Sequence, residues 1–221
     1  LDRLPGSMTV VGAGVIGLEY ATIFSALSVS VTLIDPRDTI LDFADREIIN
    51  DLLYQLKKRD VSIRLGYKVE QIVKHETLDK YVCYLDGGRQ VISDVVLFAA
   101  GRMGATDNLN LDSTGIKVDH RGRIEVDDNY RTSVPHIYAV GDVIGFPSLA
   151  STSMEQGRHA ACRMFDEPGG GMSEFFPYGI YAVPEVSMVG MTEEEVRKRE
   201  IPYEVGLARF RETARGQIMG L

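Results

Sequence analysis

Val10-Val11-Gly12-Ala13-Gly14-Val15-Ile16-Gly17-Leu18-Glu19-Tyr20-Ala21 is the stretch that decides how the chain is read. The apolar run Met8–Val11 enters three glycines spaced as GxGxxG, and apolar residues then recur at helical spacing from Val15 to Leu27. That pattern predicts a buried strand, a tight turn and a helix whose core-facing stripe is Ile16, Tyr20, Ile23, Phe24 and Leu27. Each glycine has a separate physical task. Gly12 permits the tight turn, Gly14 lets the backbone approach a ligand without a Cβ in the way, and Gly17 allows the helix to pack closely on the strand. The free N–H groups of Val15, Ile16 and their neighbours would face an anion, which the helix dipole also favours.

Outward from the fingerprint the alternation continues. Val31–Ile34 reads as a second strand, 45–59 as a helix with Ile48, Ile49, Leu52, Leu53 and Leu56 on one face, and Val61–Leu65 as a third strand. β-α-β-α-β is the order of an α/β, Rossmann-like doubly wound parallel sheet. Asp35 closes the second strand 18 positions after Gly17, near the roughly 20 at which an acidic residue meets the ribose hydroxyls of a bound dinucleotide. This context turns a weak motif into a dinucleotide site in which Asp35 favours NAD. Arg37 is either a solvated loop charge or the partner of a 2′-phosphate, and with Asp35 it suggests tolerance of NADP. Glu19 either complements the helix N-terminus or has a further role.

Beyond 65 the periodicity changes. Gln71–Lys74, Tyr81–Leu85 and Gln90–Ile92 read as an antiparallel meander turning at Asp86-Gly87-Gly88, followed by a buried strand at Val95–Ala99. Ile116–Val118 and Ile124–Val126 suggest a hairpin, and His136–Val140 a strand ending at Gly141-Asp142. A helix is predicted over 149–165. An aspartate at the carboxyl end of a strand is placed to bind a polyol hydroxyl, and the helix after it can stabilise negative charge on a ring. Glu167–Gly171 reads as a linker; then come strands at Val186–Val189 and Tyr203–Ala208, a helix from Thr192 to Arg199 opened by a Thr192/Glu195 capping box, and a strand pattern over 216–221.

Composition limits the function. A net charge of −8 over 221 residues disfavours nucleic acid as a partner. The apolar runs are too short for a membrane span, and no secretory leader opens the chain. Two distant cysteines, Cys83 and Cys162, read as reduced thiols of a cytoplasmic protein. No cluster suggests a metal site, and none of His75, His120, His136 and His159 has a neighbour that suggests catalysis. The chain opens at Leu1 and stops inside an apparent strand, so it reads as an internal piece of something longer.

Four stretches, VVGAGVIGLEYA (10–21), LFAAGR (97–102), TSVPHIYAVGD (132–142) and YAVPEVSMVGMTEEEV (181–196), resemble the two-dinucleotide-binding flavoproteins, the superfamily of glutathione reductase and dihydrolipoamide dehydrogenase. The resemblance covers nearly the whole chain. It implies an NAD(P)-binding domain over 1–99, the C-terminal part of an FAD-binding domain over 100–171, and the truncated start of an α+β interface domain over 172–221. It puts Val15 at the ring-stacking gate, Glu19 near the nicotinamide, and Gly101 and Arg102 in the crossover between domains. Gly141 and Asp142 would lie at the flavin ribitol, and the backbone of Leu149 and Ala150 at its pyrimidine. FAD, NAD and NADP are the implied cofactors, dinucleotides the small-molecule partners, and a homodimer the implied assembly of the longer parent. GDVIGFPSLASTSMEQGR (141–158) and 201–221 resemble the branch that moves hydride between NADPH and NAD through flavin, with no protein nucleophile. A disulfide reductase of the dihydrolipoamide dehydrogenase kind is the second expectation, and a nucleotide-binding module without chemistry of its own the third.

Overall fold

A computed structural model describes residues 1–169 and 175–220. It divides into two compact units, Leu1–Gly190 and Met191–Leu221.

The first unit is built on a four-stranded parallel sheet. Strands β1 (Ser7–Val11), β2 (Ser30–Asp35), β3 (Ser62–Leu65) and β7 (Val95–Phe98) lie in the order β3-β2-β1-β7. Between β3 and β7 the chain makes the antiparallel meander β4 (Val69–Lys74), β5 (Tyr81–Leu85) and β6 (Gln90–Ser93). Gly87 and Gly88 take positive φ in the turn between β5 and β6, as a tight reversal requires. Val10, Leu33 and Leu18 are fully buried between the sheet and the two helices α1 (Val15–Ala26) and α2 (Arg46–Lys58). Ile34, Cys83, Leu85 and Val91 form a second core that joins β2 to the meander.

Helix α1 corrects the sequence reading. Its buried residues are Gly17, Leu18, Ala21, Thr22 and Ser25. Ile16, Tyr20, Ile23 and Leu27 are exposed, and only Phe24 of the expected stripe packs on the core. Close approach to the sheet selects small side chains at 17, 21 and 25, so the face richest in large apolar residues is turned outward. Helix α2 follows its amphipathic pattern more closely: Ile49, Leu52 and Leu56 are buried, while Ile48 is exposed. Strand β7 pairs with β1 alone among the described residues, and its Phe98 is exposed rather than buried.

Residues 99–149 contain little regular structure. The expected hairpin is reduced to a single bridge, Val118 with Ile124, and the expected strand at 136–140 to one bridge, Arg131 with Tyr138. An apolar run becomes a strand only when neighbours take up its backbone hydrogen bonds, and here no parallel neighbour lies among the described residues. Ile116, Ile124 and Ala139 nevertheless make a small core. Helix α3 (Ala150–Met164) follows. The linker reading at 167–171 falls partly outside the described residues. The hairpin β8 (Tyr178–Ile180) and β9 (Val186–Met188) buries Ile180, Ala182 and Val186 in the main core.

The second unit holds α4 (Glu193–Lys198), opened by the capping box in which Thr192 and Glu195 exchange hydrogen bonds. It also holds α5 (Ala214–Met219). Tyr203–Ala208 is not a strand. The strand pattern over 216–220 is a helix instead: the Thr213 side chain caps it by accepting from Gly216 N–H, and Gly220 ends it in the left-handed region at φ 73°. Leu221 lies outside the described residues.

Candidate functional site

The sheet order reverses between β1 and β7, and the crevice outside the carboxyl ends of such strands is where open α/β sheets bind ligands. A cavity of about 1090 Å³ opens there. The fingerprint glycines meet its wall in three different ways. Gly12 has φ +107°, and a Cβ on it would sit 2.4 Å from the Ala99 carbonyl oxygen. A Cβ on Gly17 would sit 1.8 Å from the Gly12 carbonyl oxygen. Both positions are closed by packing. Gly14 lines the cavity, and a Cβ on it would have nothing within 4 Å. Space is therefore kept in front of one glycine backbone, the one whose turn must admit a ligand. Val15, Ile16 and Glu19 line the same wall.

Two helices present their N-termini here, and both lack a side-chain cap. Gly14 is the N-cap of α1 and Leu149 that of α3; neither helix has an acidic residue in its first turn. By contrast α2 is capped by Asp45 and carries Glu47, and α4 carries Glu193, Glu194 and Glu195 behind its capping box. The first N–H groups of a helix need acceptors. At α1 and α3 no side chain answers that need, and the positive ends open toward Gly14 and Leu149 in one cavity.

Asp35 is buried at the end of β2. Its Oδ2 accepts from Ala13 N–H at 2.6 Å and Arg37 Nη2 at 2.9 Å, and its Oδ1 from the N–H and Nε of Arg37, both at 2.9 Å. Burial pushes the carboxyl up, but the Arg37 side chain, the two backbone donors and the Arg37 charge outweigh it and hold Asp35 below its ordinary range. All four acceptor positions of the carboxylate are thus filled within the chain. Arg37, fixed on one side by Asp35, lines the cavity on the other.

The second glycine-aspartate turn is built differently. Gly141 takes φ +82°, and its N–H donates to Gln156 Oε1 at 2.7 Å, which pins the turn to α3. Asp142 faces the cavity and pairs with Arg102 at 2.7 Å, both side chains being well exposed. Gly101, Arg102 and Leu149 line the cavity; Ala150 opens α3 beside it. The structure therefore brings Gly14, Val15, Ile16, Glu19, Arg37, Gly101, Arg102, Asp142 and Leu149 to one cavity wall. Gly12, Gly17, Asp35, Gly141 and Ala150 are set just behind or beside it.

Sequence reasoning missed several lining residues: Arg121, Arg123, Phe146, Tyr178 and Tyr181. It also missed that Glu19 Oε1 accepts from Tyr181 N–H at 2.9 Å across 162 positions of sequence. No local pattern marks such a contact. Arg121 and Arg123 carried one available signal, two arginines around Gly122 between the two runs of the expected hairpin. Among the described residues there is no group of three metal-ligating side chains, and no helix is long and apolar enough to cross a membrane.

Comparison with known proteins agrees with this architecture. The family model for pyridine nucleotide-disulphide oxidoreductases matches residues 1–157, and the model for the dimerisation domain of the same family matches residues 176–220. The chain is 53% identical over 220 residues to a soluble pyridine nucleotide transhydrogenase of Mycobacterium tuberculosis (strain ATCC 25177 / H37Ra), covering 100% of this chain and 47% of that protein. It is 47% identical over 219 residues to the protein of the same name from Pseudomonas aeruginosa (strain LESB58), covering 99% and 47%. Among solved structures, the HOCl-induced flavoprotein disulfide reductase RclA from Escherichia coli superposes with a TM-score of 0.89 at 30% identity, covering 99% of this chain and 50% of that one. LpdA from Mycobacterium tuberculosis gives 0.91 at 26% identity, covering 100% and 48%. The chain spans about half the length of the curated relatives it matches. On the strength of the 1–157 match and the sheet, turns and cavity that accompany it, the chain belongs to the pyridine nucleotide-disulphide oxidoreductase family.

Proposed function

We propose that this chain is the nicotinamide-binding domain, part of the flavin-binding domain and the start of the interface domain of a cytoplasmic, homodimeric flavoprotein that transfers hydride between NADPH and NAD through FAD. The residues 1–99, 100–171 and 172–221 correspond to these three parts. The observation that carries the reading is the pair of uncapped helix N-termini, α1 behind Gly14 and α3 behind Leu149, opening into one cavity. One such end suits one dinucleotide; two suit a pair of ring systems brought together.

In this reading the N–H groups at Gly14, Val15 and Ile16 hold the pyrophosphate of NAD(H) or NADP(H). Asp35 takes the ribose hydroxyls of NAD once Arg37 swings off it, and Arg37 takes the 2′-phosphate of NADP. Val15 and Glu19 lie along the nicotinamide end. Asp142 releases Arg102 to bind the flavin ribitol, and the start of α3 faces the flavin pyrimidine. The flavin, when bound, supplies the two-electron chemistry, while the protein supplies position and field. The match of 176–220 to a dimerisation domain supports the homodimer. Cys83 is buried, Cys162 is partly exposed, and both are free, so a disulfide route would draw its cysteines from outside this chain.

The test is reduction of thio-NAD by NADPH with the full-length, flavin-loaded protein. Turnover without any disulfide substrate supports transhydrogenation. Absence of turnover with flavin bound, together with NADH-dependent reduction of lipoamide, replaces it with the disulfide-reductase reading. The 221 residues alone are predicted to bind NAD(H), to retain no stable flavin and to catalyse neither reaction. A yellow purified chain would contradict that prediction.

A further inference from the structure

Helix α3 turns a polar face inward. Its buried residues are Thr152, Gln156, His159 and Ala160, and Ser153 is half-buried next to them. A buried amide costs free energy unless its oxygen finds a donor. For Gln156 Oε1 that donor is the N–H of Gly141, 2.7 Å away and 15 positions back in the sequence. A backbone N–H can face only an acceptor, so the contact fixes which end of the amide points at the turn. Gly141 is buried at φ +82°, and a Cβ on it would stand 3.2 Å from Ser153 Oγ. The backbone of the turn is thus seated directly on α3, against Ser153 and Gln156.

The loop from Gly141 to Leu149 returns to the same helix. At its far end the Leu149 carbonyl accepts from Thr152 Oγ1 at 2.9 Å, Ser153 Oγ at 2.8 Å and Ser153 N–H at 2.9 Å. One helix therefore anchors both ends of the loop. Asp142, which faces the cavity, stands next to the first anchor, and the uncapped N-terminus of α3 at Leu149 is the second. Gln156 lies about two turns inside α3 from that N-terminus. Its contact with Gly141 sets how far the Asp142 carboxylate stands from the positive end of the helix.

We propose that Gln156 is a positioning residue for the flavin: by holding Gly141 N–H it fixes the spacing between Asp142, at the ribitol, and the α3 N-terminus, at the pyrimidine. This rests on that end of the cavity being the flavin site. Reduction places negative charge on the pyrimidine, which a helix N-terminus favours. A turn loosened from α3 therefore costs reduced flavin more than oxidised flavin.

The experiment uses the full-length protein and its Gln156→Met, Gln156→Asn and Gln156→Glu variants. It reads the Kd of oxidised FAD by flavin fluorescence, the flavin midpoint potential by dye equilibration, and the Kd of NAD+ as a measure of the intact fold. Gln156→Met fills the space with no oxygen, and Gln156→Asn leaves the amide one carbon short of Gly141. Both are predicted to weaken oxidised FAD about three- to ten-fold and reduced FAD about three-fold more, which lowers the midpoint by about 15 mV, with NAD+ unmoved. Gln156→Glu restores an acceptor oxygen and is predicted to bind oxidised FAD within about two-fold of wild type. If Gln156→Met does not fold, Gln156→Asn decides. Flavin affinity or midpoint unmoved, a parallel loss of NAD+ affinity, or Gln156→Glu as weak as Gln156→Asn overturns the positioning role while leaving the flavin site standing. A wild-type protein that holds no flavin overturns the site reading, and the positioning role with it.

Discussion

The two glycine turns that face the cavity, Gly12–Gly17 and Gly141–Ala150, use the same device on different foundations. The first is fed by β1, a strand paired on both sides, and its Gly12 and Gly17 are closed in, Gly12 against Ala99 and Gly17 against Gly12. The second follows a segment with a single bridge; Gln156 reaches back to accept from Gly141 N–H, and Ser148 donates to the Gly145 carbonyl oxygen. The carboxylates differ too. Asp35 is buried with all four acceptor positions filled, while Asp142 is exposed in a simple pair with Arg102. The first turn is set by paired strands. The second is set by hydrogen bonds within its own loop and to α3.

The sharpest way to break this comparison is inside the first turn. Gly17→Ala drives a Cβ to 1.8 Å from the Gly12 carbonyl oxygen, so a loss of about 3 kcal/mol or more is expected in urea unfolding. Gly14→Ala meets open space at φ −74° and should leave stability within about 0.5 kcal/mol, because alanine adopts that backbone freely. Its cost should appear instead as weakened dinucleotide binding. Equal stability for the two variants would show that the turn is not built as described.

Asp35 comes next. Asp35→Asn removes the charge from a buried network and is expected to cost about 1.5–3 kcal/mol at neutral pH. The folded carboxyl titrates below its ordinary value of 3.8. Its contribution is therefore present above that value and fades as the pH falls through the lower, folded one. The gap between wild type and Asp35→Asn should close in unfolding experiments run below the ordinary value, and a gap that widens in acid would reverse the assignment.

Arg37→Ala separates the two adenosine ends. Freed of its partner, Asp35 should bind the NAD ribose several-fold better, while NADP loses roughly ten-fold with the charged hydrogen bond. Parallel changes for both nucleotides in titration would show that Arg37 does not choose between them. The smallest effect belongs to the second turn. Asp142→Asn breaks an exposed pair and should change the melting free energy by less than about 1 kcal/mol. A larger loss would mean that Asp142 holds the fold and not only the site.

How much of this was legible follows from how local each feature is. β1, the turn, α1 and the closing Asp35 sit within one stretch, and the sequence pattern places all four. The face of α1 was misread because its tight packing selects Gly17, Ala21 and Ser25, which carry no hydrophobic signal. The segment 136–140 looked like a strand because apolar runs report burial, not the presence of pairing partners. The C-terminal helix was hidden because Thr213 and Gly220, its cap and its stop, lay outside or at the edge of the pattern being read. Phe146, Tyr178 and Tyr181 reach the cavity only through the tertiary fold. The Asp35–Arg37 latch was half legible: both residues were named, but not that Arg37 takes up three of the four acceptor positions of Asp35.

The central claim is that backbone N–H groups at the uncapped start of α1 hold a dinucleotide pyrophosphate. Amide NMR on this chain with added NAD+ tests it most directly. The account predicts saturable shifts at Gly14, Val15 and Ile16, with Arg46 and Glu47 at the capped start of α2 unmoved. Shifts absent from 14–16, or as large at 46 and 47, would contradict it.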